Sequence, residues 1–133
     1  MKKIMAGEEV NQAMPTAFRV AVRTLDAWGF SAGEMARVLG FSTAQFHRYR
    51  ATGLPEESVN EDLTTRVSLV LGIERALEIL LAEESDIRNW MNRPSNAPIF
   101  DGVTPKSIML NGELGDLWGV RSYLDGWLSG DFD

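Results

Sequence analysis

Three stretches of the sequence carry the Ser-x-x-Glu or Ser-x-x-Gln pattern of a helix capping box, and they constrain the fold more than any other feature. They begin at Ser31, Ser42 and Ser58. In such a box the serine side chain accepts a hydrogen bond from the backbone three residues later, and the Glu or Gln returns the bond, so each pattern predicts a helix start. No stretch alternates cleanly between apolar and polar residues as a half-buried strand does. The sequence therefore predicts an all-α protein.

Helix-breaking residues delimit the first group of predicted helices. Pro15 suits the first turn of a helix, where its missing N–H costs nothing, and three short helices follow one another before Gly53. We therefore expect a mobile arm over residues 1–14 and a compact helical unit over residues 15–53. The next segment, residues 54–59, has few apolar residues and is expected to be a linker that lets the unit move.

The second group of predicted helices forms another domain over residues 60–133. Its first helix extends to about Ala82 and is apolar over more than one face, which is typical of a buried helix. A helix near residues 85–92, a short one beginning at Pro105 and a last one ending near Ser129 complete this domain.

The stretch SAGEMARVLGFSTAQFHRYRATG fits a helix-turn-helix. Ala36 is small where two helices cross, Gly40 can adopt the positive φ of a tight turn, and Phe46 is placed to anchor the second helix. Any tight helical hairpin needs such residues, so a packing unit with a mildly basic, solvated surface is the alternative. On the DNA-binding interpretation, polar residues of the second helix contact bases and phosphates: Ser42, Thr43, Gln45, His47, Arg48 and Arg50.

Charge is distributed unevenly along the chain. The net charge is −6, which alone argues against nucleic acid, but residues 15–53 carry five arginines against two acids, a net charge of +3. Residues 54–133 carry six basic and fifteen acidic side chains, a net charge of −9. This asymmetry favours a basic DNA-reading unit on an acidic body, although a chance fluctuation of three charges would produce the same difference.

Several functional classes lack the residues that they require. The chain has no cysteine and one histidine, His47, so thiolate chemistry and a histidine metal site are not expected. Asp62, Glu74 and Glu78 have no accompanying nucleophile or phosphate loop, and we interpret them as a solvated helix face. No signal peptide and no membrane span are apparent. We expect a cytoplasmic protein that is not an enzyme, without a catalytic residue, metal or cofactor.

The last predicted helix, within GELGDLWGVRSYLDGWLSGDFD, is apolar over an arc of about 220° at 100° per residue. A surface helix buries only about 100° against its own domain. The opposite side is a row of small residues that includes Gly115, Gly119 and Gly126. We expect one face to pack on the long helix and another to meet a second chain, with exposed apolar surface around Trp118 and Trp127. A helix wrapped entirely by its own domain is the alternative.

Three segments together resemble antitoxins of the Xre/MbcA/ParS group. They are NEDLTTRVSLVLGIERALEILL, DIRNWMNRPSNAPIFDGVTPKSIMLNG and VRSYLDGWL. The order is specific: a loop with Trp, Asn and Phe-x-Gly, a short helix led by proline, and a helix containing VRxYLD. The resemblance covers roughly residues 15–130. The family commonly has Phe-Gly-Gly in the loop, whereas this chain has Phe100, Asp101 and Gly102.

The resemblance implies a type II antitoxin that binds a RES-domain toxin, an NAD-consuming enzyme, and covers the entrance to its NAD pocket. It also implies that the complex binds its own operator DNA through the helix-turn-helix and represses transcription. We expect a homodimer within a hetero-oligomeric toxin–antitoxin complex. The alternative function is that of a dimeric transcriptional regulator without a toxin partner.

The expected toxin contacts lie on the last helix and on the residues after it. Two acids flanking one aromatic ring could present carboxylates where the phosphates of NAD would sit. If those residues are instead a solvated end, the helix itself provides the block. The candidate residues are Trp118, Arg121, Tyr123, Asp125, Trp127, Asp131, Phe132 and Asp133.

Overall fold

The computed structural model describes residues 6–130, with side chains from residue 9 onward. In this part of the chain there are seven α-helices and one turn of 3₁₀-helix at Glu56–Ser58, and there is no strand, so the expected all-α class is confirmed. The α-helices, in chain order, are α1 (Ala6–Ala27), α2 (Ala32–Leu39), α3 (Thr43–Thr52), α4 (Glu61–Leu81), α5 (Glu84–Met91), α6 (Pro105–Met109) and α7 (Leu114–Ser129).

Two of the three predicted capping boxes are confirmed. Ser31 caps α2 and Ser42 caps α3, and in each case both reciprocal hydrogen bonds are present. The third prediction is wrong, because the side chain of Asn60 caps α4 by accepting a bond of 2.8 Å from the backbone of Leu63. Asn is at least as good an N-cap as Ser. The hydroxyl of Ser58 instead donates to the phenol oxygen of Tyr49 at 3.1 Å.

The first helix begins earlier than expected. Pro15 lies inside α1 rather than at its start, and residues 6–14, assigned to a mobile arm, are helical. Proline removes one backbone hydrogen bond from a helix interior. Tertiary packing compensates for that loss, because Met14 is only 5% exposed and belongs to the core. Residues 1–5 lie outside the described part of the chain.

One hydrophobic core joins the two groups of helices. Helix α4 is central and packs against α1 on one side and α7 on the other. The large buried side chains come from both groups and include Trp28, Phe18, Phe46, Phe100, Leu77 and Leu117. Leu54 is 6% exposed and Val59 packs against the same core, so the segment 54–59 is anchored at both ends. Residues 54–59, expected to be a linker, are therefore packed on the core at Leu54 and Val59, and their mobility stays a prediction.

An arginine whose side chain is largely covered ties the end of α2 to the turn before α7. The side chain of Arg66 on α4 is 11% exposed and pairs with Asp62 at 2.7 Å. Its Nη1 donates to the backbone oxygens of Val38 at 3.1 Å and Gly112 at 2.8 Å. Because these carbonyls belong to the two groups of helices, one guanidinium joins both groups to α4.

A lysine makes a second polar joint between the same parts of the chain. Nζ of Lys106 lies 2.9 Å from Oε1 of Glu34, donates to the carbonyl of Gly29 at 3.2 Å and lies 5.0 Å from the ring centroid of Phe30. Burial raises the pKa of Glu34, but the hydrogen bond from the backbone of Ser31 and the neighbouring Lys106 outweigh it, so the pKa is lowered overall. The carboxylate therefore stays charged and keeps α6 attached to α2.

The loop before α6 accommodates its departure from the family pattern. Asp101 has φ 47° and Gly102 has φ 89°, so both residues adopt the left-handed conformation. Glycine adopts it without strain, and aspartate is among the few other residues that tolerate it. Phe100 is 1% exposed. The aspartate therefore preserves the turn that buries the phenylalanine.

A candidate DNA-reading helix and a candidate partner-binding helix

Helix α3 exposes every residue that was expected to contact DNA. Phe46 and Tyr49 are its buried anchors, and Phe46 packs edge-on against Phe18 of α1 with ring centroids 6.3 Å apart. The remaining polar side chains are on the surface. Exposed candidates on α3 and its cap are Ser42, Thr43, Gln45, His47, Arg48 and Arg50. The structure brings them together on one helix and its cap.

Among the candidate DNA contacts, His47 and Arg48 point furthest from the core. At 100° per residue, each lies about 50° from the direction opposite to the buried pair Phe46 and Tyr49, on either side of it. The most outward position is occupied by Ala44, which is also exposed. A small residue there lets the helix approach a flat or grooved surface closely, with His47 and Arg48 on its two sides.

Ser42 and Gln45 are already engaged with each other. The carboxamide oxygen of Gln45 accepts from the backbone N–H of Ser42 at 3.1 Å, and the hydroxyl of Ser42 accepts from the backbone of Gln45 at 3.1 Å. Bidentate recognition of adenine needs both the oxygen and the nitrogen of the carboxamide. In this conformation Gln45 offers only its nitrogen, so the capping role competes with the expected base contact.

The other side of Arg48 borders the segment after α3. Its Cζ lies 5.2 Å from the ring centroid of Tyr49, and it lines a cleft of about 400 Å³ with Pro15 and Leu54. The hydrogen bond from Ser58, followed by the neighbouring guanidinium of Arg48, lowers the pKa of Tyr49. The guanidinium of Arg48 thus lies beside the ring of Tyr49 and remains exposed to solvent.

Two arginines that were not assigned to the site lie beside α3. Arg19 and Arg23 of α1 line a cleft with Arg50. Their spacing of four residues puts them on one face of a helix, and this i, i+4 pair of like charges was visible in the sequence. The sequence could not reveal that this face borders α3, because that depends on how α1 and α3 cross.

Helix α7 packs on α4 through Leu117, Val120 and Leu124, so the expectation that one face covers the long helix is confirmed. The expected exposed apolar surface is present at Trp118, which is 53% exposed. Trp127 is only half-buried and lies on the other side of the helix, since nine residues at 100° each amount to about half a turn from Trp118. The candidate toxin contacts therefore fall into two groups that face in different directions.

The group around Trp127 is aromatic. Tyr123 lies 6.3 Å from Trp127 and 5.2 Å from Phe100, and Phe100 lies 5.8 Å from Trp90, all measured between ring centroids. Trp127 and Trp90 line an open cleft of about 500 Å³ together with polar residues of α5 and the following loop, including Arg93. This cleft joins α7 to a part of the domain that was not among the expected contacts.

The group around Trp118 is polar and small apart from the tryptophan itself. Nε of Arg121 is 3.2 Å from each oxygen of Asp125. The guanidinium of Arg121 also lies across Gly72 of α4, where a Cβ atom would be 1.6 Å from its Nη1. Gly115 has open space around its Cα. The glycine in α4 therefore makes room for Arg121, while the exposed small residues of α7 leave Trp118 protruding.

The three acids interpreted as a solvated helix face behave differently from one another. Asp62 pairs with Arg66, and Glu78 is exposed. Glu74 accepts a hydrogen bond from the indole N–H of Trp28, and burial raises the pKa of its carboxyl. The interpretation fits Asp62, which is exposed and pairs with Arg66 of the same helix, but it is wrong for Glu74, which is half-buried and bonds α4 to Trp28 of α1. Within residues 9–130, no three acids or histidines are grouped as a metal site would require.

Asp131, Phe132 and Asp133 lie outside the described residues. Helix α7 ends at Ser129, and Gly130 closes it in the left-handed conformation with φ 78°. No helix in the described part of the chain is long and apolar enough to cross a membrane.

Comparison with known families and proteins defines the class to which these features belong. The family model of the antitoxin Xre-like helix-turn-helix domain matches residues 7–72, and that of the antitoxin Xre/MbcA/ParS C-terminal toxin-binding domain matches residues 76–130. The chain belongs to the Xre/MbcA/ParS antitoxins. The boundary between the two matches, residues 73–75, lies within α4 rather than at residues 54–59. The chain is also 32% identical over 115 residues to the uncharacterized protein y4oB of Sinorhizobium fredii (strain NBRC 101917 / NGR234), a match that covers 84% of each chain.

Proposed function

We propose that this antitoxin binds and inhibits a RES-domain, NAD-consuming toxin by covering its active site, and that it represses its own operon by binding operator DNA. The observation that carries this proposal is the presence of a DNA-binding family domain and a toxin-binding family domain on one shared core. It acts in the cytoplasm by binding rather than by catalysis.

The toxin-binding part of the proposal rests on α7. Protein interfaces are dominated by a few aromatic and arginine side chains that become fully desolvated. Trp118 is the most exposed aromatic anchor of this kind, and Arg121 and Asp125 lie beside it. Trp127 and Tyr123 form a second anchor at the cleft. From there the chain continues through Gly130 to Asp131, Phe132 and Asp133, which we propose enter the NAD pocket.

The DNA-binding part of the proposal rests on α3. The outward direction and exposure of His47 and Arg48 support a role in reading base edges, and the exposed Thr43 and Arg50 lie nearer the flanks of the helix. The acidic C-terminal half opposes approach to DNA, so a single helix-turn-helix binds weakly. A homodimer, held together within the toxin–antitoxin complex, would place two recognition helices in successive major-groove half-sites.

Co-expression with a RES-domain protein encoded beside this chain tests the toxin partner. We expect the two proteins to co-purify and the complex not to consume NAD. Removing residues 130–133 should restore NAD consumption while the complex remains assembled. Full inhibition by the shortened chain would assign the block to α7 instead. A chain that binds DNA as a dimer but never binds the toxin would support the alternative, a regulator without a toxin partner.

Substitution of Arg48 tests the recognition helix. We expect Arg48→Ala to weaken operator binding by about 1–3 kcal/mol if the side chain reads a base. The loss should be much smaller on a scrambled duplex, because base contacts carry the sequence preference. Arg75→Ala on the exposed surface of α4 is the matched control. Unchanged operator affinity after the combined changes Arg48→Ala and Gln45→Ala would contradict this assignment.

A further inference from the structure

A cleft of about 310 Å³ lies beside the recognition helix, between α1 and α3. Its apolar lining comes from Phe18 and Val22, and its charged lining comes from Arg19, Arg23, Asp26 and Arg50. At 100° per residue the three charged residues of α1 lie within an arc of about 60°, so they form one edge of that helix. The cleft therefore carries a net charge of +2 on a protein whose overall charge is −6.

The arginines of this cleft are available to a ligand. Arg19, Arg23 and Arg50 are exposed, and within the described residues none of them forms a salt bridge. Arg19 donates to the hydroxyl of Thr16 at 3.4 Å, and Arg50 lies 5.8 Å from the ring centroid of Phe46. Neither contact neutralises a guanidinium. Three like charges with a single acid among them repel one another, and a bound anion would relieve that repulsion.

The position of the cleft beside α3 indicates which anion would bind these arginines. Arg50 lies about 110° from the outward direction of α3, on the side toward α1, whereas Arg48 lies about 50° from it on the other side. A helix that enters a major groove has a sugar–phosphate strand on each side. When α3 points into the groove, the cleft faces one of these strands.

We propose that this cleft binds a backbone phosphate of DNA through Arg19, Arg23 and Arg50. The proposal rests on the DNA-binding function proposed above and adds two residues of α1 to it. Guanidinium groups bind phosphate oxygens in pairs of parallel hydrogen bonds, which gives both strength and orientation. A phosphate contact carries no sequence information, but it fixes the register of the recognition helix and offsets the repulsion from the acidic half.

The double variant Arg19→Gln with Arg23→Gln tests the cleft in the full-length chain. Its affinity is measured against salt concentration on two duplexes, the DNA immediately upstream of its own reading frame and a scrambled duplex of equal length and composition. We expect binding to fall roughly tenfold on both duplexes, and the slope of log affinity against log salt to decrease by about 1–2. Arg75→Gln, an exposed arginine on α4, is the control and leaves the slope unchanged.

Asp26→Asn should have the opposite effect on DNA affinity, because it removes the one acid that lines the cleft. It should tighten binding a few-fold on both duplexes and raise the slope, and this gain cannot result from misfolding. A slope unaffected by all three substitutions in the cleft overturns the proposal, as does a loss confined to the upstream duplex. A changed oligomeric state on size-exclusion chromatography would instead assign the arginines to a protein interface. Wild-type chain that prefers neither duplex contradicts operator recognition, while the salt slope still reports on the cleft.

Discussion

Helices α3 and α7 carry the two candidate binding surfaces, and they differ in what they bury. Helix α3 buries only the rings of Phe46 and Tyr49, and the rest of its surface is open. Helix α7 buries Leu117, Val120 and Leu124 and still leaves Trp118 exposed. Where apolar residues are few, their positions tell which side of a helix faces the core. Where they surround the helix, only the neighbouring elements decide which of them are buried.

The difference extends to the shape of the two surfaces. The candidate DNA contacts of α3 form one continuous area that is extended by Arg19 and Arg23 of α1. The candidate toxin contacts of α7 divide between Trp118 on one side and the aromatic cleft at Trp127 on the other. A toxin must therefore either surround the end of α7 or use one of these sides, and the variants below distinguish these cases.

Loss of Arg66 should have the largest effect, because this residue joins the end of α2 and the turn before α7 to α4. Arg66→Ala removes hydrogen bonds to the carbonyls of Val38 and Gly112 and leaves them partly buried without a partner. We expect the free energy of unfolding to fall by about 2–4 kcal/mol, measured by denaturant titration. Arg75→Ala on the same helix should change it by less than about 0.5 kcal/mol. A small effect of Arg66→Ala would mean that the two groups of helices do not depend on this residue for their stability.

The two tryptophans of α7 should respond differently to truncation. Trp127→Ala should lower the free energy of unfolding by about 1–2 kcal/mol, because it removes ring contacts with Tyr123. Trp118→Ala should leave stability within about 0.5 kcal/mol, since the side chain is 53% exposed. Toxin affinity, measured by calorimetry, then shows which side is used. Equal losses of affinity would mean that the toxin contacts both sides.

Gly72→Ala should alter the surface of α7 without unfolding the protein. The new methyl group would overlap the guanidinium of Arg121, which is the flexible end of a side chain and can move. Replacing a helix-interior glycine by alanine contributes about 1 kcal/mol of stability, which offsets the displacement. We expect an unchanged or slightly raised melting temperature together with weaker toxin binding if Arg121 contributes from its present position. Strong destabilisation would show that Arg121 cannot leave Gly72.

The smallest effect should come from the carboxyl of Glu74, far from both surfaces. Burial raises its pKa above the ordinary value of 4.5, so the folded state favours the neutral form. This contribution to stability is fully present below pH 4.5 and is lost as pH rises through the raised value. Glu74→Gln keeps an acceptor for the indole of Trp28. The variant should therefore be slightly more stable than wild type at neutral pH, with the difference disappearing in acid. Thermal unfolding at both pH values measures this.

The sequence predicted the helices better than it predicted which residues at their ends pack into the core. Capping boxes at Ser31 and Ser42 were predicted correctly, because their hydrogen bonds are local. The start of α1 was placed wrongly at Pro15, since the helix continues past a proline when Met14 packs into the core. Leu54 was assigned to a linker because its burial depends on elements that are distant in sequence, as the burial of Met14 does.

In the candidate sites, too, the features set by local spacing were predictable, and those set by packing between distant elements were not. Exposure of His47 and Arg48 followed from helical periodicity around Phe46, which is local information. The separation of Trp118 from Trp127 also follows from periodicity, but an apolar arc does not show which of its residues the rest of the domain covers. The association of Arg19 with Arg50 required the crossing of two helices, which no spacing along the chain contains.

The contacts that Arg66 and Lys106 make between the two groups of helices limit how these groups can be exchanged among members of the family. A chimera that takes its DNA-reading helices from one relative and its toxin-binding helices from another would cut through α4 and separate Arg66 from one of its carbonyl partners. It would also pair Lys106 of one parent with whatever residue the other parent has in place of Glu34. The proposed DNA contacts are therefore best changed by replacing surface residues of α3. Exchanging the whole helix-turn-helix would also require its contacts with the C-terminal helices to be exchanged.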